Sequence, residues 1–226
     1  DCLDLAIDYY NNPTAFKQEM MNDASKIGEK WFKSNRTQSL KEIQEHTFVK
    51  NILVCDPANS ISNKADFSAF AVGGLADNDF LYIKKGGLLK VGFDDFCNHV
   101  IKLLKDFPEV THVSIEKNLY MGADVLKIKE LISKDKDLIN RKILFINKMQ
   151  KKNKDEKIST IISDVNNGRI IFNEDDKDFV DQIMNFVGQE YSSHDDAPDA
   201  VAQLTIDIKE IEIIQHVSFM DIKKLF

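Results

Sequence analysis

Cysteine is scarce in this chain and lacks any pairing pattern. Cys2, Cys55 and Cys97 are the three among 226 residues. The number is odd and the spacings are not those of metal ligands, so neither a disulfide framework nor a zinc site is expected, and a reducing intracellular setting fits. No apolar run approaches the ~18 residues that a membrane-spanning helix needs, so no membrane partner is expected. Nine glycines and four prolines are too few for a low-complexity or collagen-like chain. A Gly-x-x-x-x-Gly-Lys-Ser/Thr phosphate loop is missing. An excess of basic residues is missing too: 30 Lys and Arg against 37 Asp and Glu give a net charge of −7. That disfavours a protein held to nucleic acid by its own phosphate contacts, but not an enzyme that touches DNA briefly or is delivered to it by a partner domain. The chain opens at Asp1 with no Met and no signal-peptide pattern, Asp4 and Asp8 interrupting the early apolar residues, and reads as a fragment or a processed product.

What is present is an ordinary globular composition, 43% hydrophobic and 30% charged, over a length that allows one core with a flanking arm. Residues 1–46 read as a helical, polar arm, with Phe16, Met20, Met21, Trp31 and Phe32 at helical spacing and a turn at Asn11-Asn12-Pro13. The character changes at Phe48, where an apolar, β-branched strand begins that ends at Asp56-Pro57; residues 47–226 read as the main domain. Strands are predicted over 67–75 and 80–88, with Asp77-Asn78-Asp79 as their hairpin loop. Phe93, Phe96, Val100, Leu103, Leu104 and Phe107 recur at helical spacing and predict an amphipathic helix. A strand over 110–115 ending at Glu116, a helix over 122–133, a strand over 142–146, a helix over 156–165, a strand over 169–172 and a helix over 177–187 follow. A long helix then runs from 195 to about 213, its start supplied by Ser192, Ser193 and the acids after them. Three successive strands followed by alternating helices and strands predict an α/β fold, a mixed sheet flanked by helices.

Acids stand at the ends of these elements. Asp56 ends the first buried strand, Glu116 ends the fourth, and Asp195, Asp196 and Asp199 open the late helix. In sheets of this kind sites form beyond the carboxyl ends of strands. Carboxylates gathered there oppose one another's ionisation unless a cation sits among them, and hard oxygen ligands suit Mg²⁺ or Mn²⁺. Residues three apart on a helix project to one side, so Asp196 and Asp199 are expected to point at one metal pair. Each acid also has an ordinary reading: Asp56 as a turn residue, Glu116 as a solvated charge, Asp195 and Asp196 as partners of the helix dipole. The ordered set of three places is what favours a metal site.

These residues resemble a known family. Cys55-Asp56-Pro57-Ala58, with Lys64-Ala65-Asp66-Phe67-Ser68-Ala69 after it, resembles the first acidic motif of the nuclease domain of the terminase large subunit, the enzyme of viral DNA packaging. Ser114-Ile115-Glu116-Lys117-Asn118, with Gly122 beyond, resembles the second motif, and His194-Asp195-Asp196-Ala197-Pro198-Asp199-Ala200 the third. The resemblance covers roughly residues 48–210 and implies a ribonuclease H-like fold related to retroviral integrases and Holliday-junction resolvases. It implies an endonuclease that cuts concatemeric double-stranded viral DNA with two divalent ions, Mg²⁺ or Mn²⁺. By the same resemblance Asp56, Glu116 and Asp196 are the catalytic metal ligands and Asp199 a fourth acid. The implied partners are DNA, the terminase ATPase domain, the small terminase subunit and the portal, in the cytoplasm of an infected bacterial host. With no phosphate loop the ATPase motor is expected to be absent from this chain, and residues 1–46 resemble the segment that joins motor to nuclease. An integrase-like or junction-resolving nuclease would share the acids, and a non-catalytic docking module would use them as caps.

Lysines supply the remaining candidates. Lys148, Lys151, Lys152, Lys154 and Lys157 form a basic run in an acidic chain, read either as a solvated loop or as a DNA contact beside the acids. Lys64 reads as a phosphate contact near Asp56 or as a surface lysine. His194 reads as a proton-transfer or ligand residue, or as a surface histidine flanking the helix. Cys55 reads as a buried strand residue rather than a nucleophile.

Overall fold

The structure is a computed structural model that describes residues 29–58, 67–117, 120–148 and 153–211. Phe16, Met20 and Met21, over which the sequence predicts helix, and Lys64, Lys151 and Lys152 lie outside the described residues. Strand β1 (Arg36–Gln38) and helix α1 (Leu40–Gln44) precede β2 (Phe48–Asp56), β3 (Ser68–Ala76) and β4 (Leu81–Leu89). Then come α2 (Phe93–Asp106), β5 (His112–Ile115), α3 (Ala123–Lys134), β6 (Leu144–Ile146), α4 (Lys154–Ser159), α5 (Ile162–Asn166), β7 (Ile170–Asn173), α6 (Lys177–Met184) and α7 (Asp196–Glu210). The strands make one seven-stranded mixed sheet in the order β1-β7-β4-β3-β2-β5-β6. β2, β3 and β4 are antiparallel neighbours, and the pairs on either side of them are parallel. The α/β expectation holds.

Residues 29–46, which the sequence assigns to a helical arm, contribute to this sheet. β1 pairs with β7, Phe32 is 1% exposed in the core, and Trp31 donates its N–H to Phe186 O. Among the described residues the first helix starts at Leu40, where Ser39 and Glu42 form a reciprocal capping box: the Ser39 side chain accepts from Glu42 N–H, and the Glu42 carboxylate accepts from Ser39 N–H. The helix predicted over 156–165 is two short ones. Between them Thr160 N–H and Ile161 N–H bond to carbonyls three residues back, Lys157 O and Ile158 O, a tightened turn of the kind that ends a helix.

The central strands are buried on both faces and alternate between two cores. Ile52 and Val54 of β2, with Ala69 and Ala71 of β3, pack in the core that includes Ala200, Val201 and Leu204 of α7. Leu53, Cys55, Phe70 and Val72 pack with Phe96, Val100 and Leu104 of α2. Helix α7 lies close over the sheet because Gly73 has no side chain: a Cβ there would stand 2.7 Å from Leu204 Cδ1. At Gly86 the approach is tighter, since a Cβ would run into the Phe179 ring, and an aromatic ring cannot yield as a leucine end can. Gly86→Ala is therefore expected to destabilise the chain by ~1–3 kcal/mol through overpacking, measured by urea unfolding; an unchanged midpoint would show that α6 has room to move.

Candidate metal centre

Strand parity and strand adjacency bring two acids together. Ile52 and Val54 face α7, so Asp56, two residues on, leaves β2 toward the same side. β5 runs parallel to β2 with Val54 opposite Ser114 and Cys55 opposite Ile115. Val113 and Ile115 face α2, Ser114 bonds to Asp207 of α7, and Glu116 donates its N–H to Cys55 O at 3.4 Å. Helix α7 crosses this face, and its first turn presents Asp199. Carboxylate oxygens of Asp56, Glu116 and Asp199 lie within 4.8 Å of one another. They line a cavity of about 200 Å³ with Ser114, Lys148, Lys157, Gln203 and Asp207.

The cluster is electrostatically strained. Burial, then the charges of Asp199 and Glu116, push the Asp56 carboxyl well above its ordinary range. Burial raises Glu116 and also Asp199, where Lys157 and Lys154 oppose it. Lys157 is itself 1% exposed, with Nζ 2.5 Å from Asp199 Oδ1. Lys154 Nζ lies 3.0 Å from Asp195 Oδ1 and 3.8 Å from Asp199 Oδ2. Burial alone would lower Lys154; the charges of Asp199, Asp195 and Asp56 outweigh it and hold the ammonium above its ordinary value. Three converging carboxylates, hard oxygen donors that crowd one another, suit a divalent ion such as Mg²⁺ or Mn²⁺.

Asp196 is not among the three. It is 3% exposed; its Oδ2 accepts from Phe67 N–H at 3.3 Å and lies 3.9 Å from His194 Nδ1. Residues three apart on a helix diverge by roughly 60°, and here that angle turns Asp199 into the crevice and Asp196 toward the start of β3. The lysine run divides as well. Lys154 and Lys157 turn inward to the acids, Lys148 pairs with Glu210 at 2.5 Å on the rim, and Lys151 and Lys152 lie outside the described residues. Gln203 and Asp207 are site residues that the sequence reading does not single out. A signal for them exists, since they repeat Asp199 at intervals of four along an otherwise apolar helix face.

An acid whose folded value lies above its unfolded one binds its proton more tightly in the fold, so stability falls as pH rises from ~4 through the folded value. Asp56 is such a group. Asp56→Asn is expected to melt above the parent at pH 7 without metal, by roughly 2–4 °C per kcal/mol of repulsion relieved, and to melt with the parent below pH ~4. Calorimetry across that range checks it; a lower midpoint at pH 7 would contradict the crowding.

No protein-family model and no curated protein matches the sequence. Among solved structures the chain is similar to the human cytomegalovirus terminase nuclease domain, with 17% identity over 75% of this chain and 88% of that one and a TM-score of 0.53. The Mn-soaked form of that domain gives 17% identity over 82% of this chain and 94% of that one, with a TM-score of 0.51. The large terminase of a thermophilic bacteriophage gives 14% identity over 74% of this chain and a TM-score of 0.52, and the chain covers 42% of its length. At these identities the common property is the architecture: this chain has the ribonuclease H-like fold of the terminase nuclease domains.

Proposed function

We propose that the chain is the metal-dependent endonuclease of a viral DNA-packaging terminase, cutting concatemeric double-stranded DNA as procapsids are filled. The observation that carries this reading is the convergence of Asp56, Glu116 and Asp199 to within 4.8 Å, on a fold like that of terminase nuclease domains. These carboxylates would hold two divalent ions, Mg²⁺ or Mn²⁺, which would supply an activated water and stabilise the leaving oxygen in phosphodiester hydrolysis. The similar cytomegalovirus domain was soaked with Mn, which supports the choice of ion.

The chain's own groups do the rest. Asp56 and Glu116 are fixed by adjacent parallel strands, so their separation is set by the sheet rather than by loops. Asp196 ties the start of β3 to α7 through Phe67 N–H and faces His194, which lines a neighbouring cavity with Lys85 and Asp176 rather than the one that the three acids share. Lys148 stands at the rim, where a phosphate would compete with Glu210 for it. The wider setting follows the same reading: residues 1–46 as the segment next to an ATPase motor, with a small terminase subunit and a portal as partners in an infected bacterial cell.

Supercoiled plasmid incubated with the chain and Mn²⁺ or Mg²⁺ is expected to be nicked and linearised, with no cutting in EDTA. Asp199→Asn is expected to remove cutting, whereas Asp196→Asn should lose no more than the ~10–100-fold typical of a group that supports a metal ligand. Cutting by the Asp199→Asn protein at the parent's rate would overturn the assignment of the three acids.

A further inference from the structure

We propose that Gln203 and Asp207 are positioning residues that hold the Lys157 ammonium on Asp199 and so set how much of that carboxylate is left for a divalent ion. The inference rests on the nuclease reading above. Asp199, Gln203 and Asp207 share one face of α7 at intervals of four. Asp207 is 1% exposed, and its Oδ2 accepts from Ser114 Oγ at 2.6 Å and from Gln203 Nε2 at 3.0 Å. A carboxylate offers acceptors alone, so Gln203 must give it the NH₂ end of its amide, which turns Gln203 Oε1 the other way. There Oε1 accepts from Lys157 Nζ at 3.4 Å, and the same Nζ lies 2.5 Å from Asp199 Oδ1. An unbroken chain of polar contacts thus runs from β5 of the sheet, through Asp207, Gln203 and Lys157, into the acid cluster.

Two consequences separate this from an ion pair that merely fastens α4 to α7. Lys157 occupies an oxygen of a carboxylate that Asp56 and Glu116 also approach, so an ammonium fixed there competes with a divalent ion for Asp199. Lys157 also lines the cavity, where a positive charge held at one point is preorganised for a phosphate and one that swings on its four-carbon stem is not. Loosening the lysine is therefore expected to move metal affinity and turnover in opposite directions, which loss of structure cannot do.

The test uses the whole chain, with Mn²⁺ affinity measured by electron paramagnetic resonance without DNA, steady-state plasmid nicking, and melting. Gln203→Leu is expected to bind Mn²⁺ several-fold more tightly while kcat falls by ~10–100-fold and KM for DNA stays the same. Asp207→Asn, whose Oδ1 can still accept from both Ser114 and Gln203, should keep both properties within about threefold of the parent. Gln203→Leu with Mn²⁺ affinity and kcat unchanged, or with both reduced together, overturns the inference. A parent chain that neither binds Mn²⁺ nor cuts DNA removes the nuclease reading and this inference with it. An active parent beside an unaffected Gln203→Leu removes this inference alone.

Discussion

The constraint on which the site depends is that the fold must hold Asp56, Glu116 and Asp199 together against their own repulsion, in a place that burial makes poor for charge. Lys157 is the direct answer, an ammonium as buried as the Asp199 carboxylate it touches. Burying both costs desolvation, and removing either partner would strand the other as an uncompensated charge. α4 and α7 are thereby committed to each other, and the small residues of α7, with Gly73 beneath them, let that helix come close enough to the sheet for Asp199 to reach the strand ends.

Sheet geometry does the remaining work of assembly. Asp56 and Glu116 stand 60 residues apart in sequence, yet parity puts both on the α7 side and the β2–β5 register puts them side by side. A one-residue slip in either strand would send its acid to the α2 face, among Phe96 and Val100. The apolar pattern that fixes the register is therefore also what fixes the site. Packing and chemistry are encoded by the same alternation.

Much of the fold is legible in the sequence alone, because apolar, β-branched runs bounded by turn residues mark β2 to β4 and helical spacing marks α2, and the strand-end acids follow from them. The features that resist are those that depend on contacts distant in sequence. β1 is three residues long and is a strand only because β7 offers it an edge; nothing local marks it. The break between α4 and α5 is a local tightening of the backbone at Thr160 and Ile161, which no residue type in the sequence announces. The choice between Asp196 and Asp199 turns on a roughly 60° difference in direction and on Phe67 N–H, which comes from 129 residues away. Gln203 and Asp207 are readable in spacing, but polar residues on a helix are ordinarily its solvated face, whereas here Asp207 is buried against Ser114 and Gln203 half-buried beside it.

The lysines carry the last step. In sequence Lys148 to Lys157 look like a patch for phosphate, an exception within a chain of net charge −7. In the fold Lys148, Lys154 and Lys157 each have a carboxylate within 2.5–3.0 Å. A phosphate arriving at Lys148 or Lys154 would exchange one anion for another, and at Lys157 it would share the ammonium with Asp199, so the favourable release of counterions that drives ordinary DNA binding would be largely forfeited. Exchange is easiest at Lys148, whose pair with Glu210 is exposed and weak, and hardest at Lys157, whose partner is buried. Among the described residues the lysines of this run are thus committed to carboxylates, Lys154 and Lys157 to those of the site itself. Bound divalent ions would add to DNA affinity on the proposed reading, which fits a cutting module that acts when DNA is brought to it.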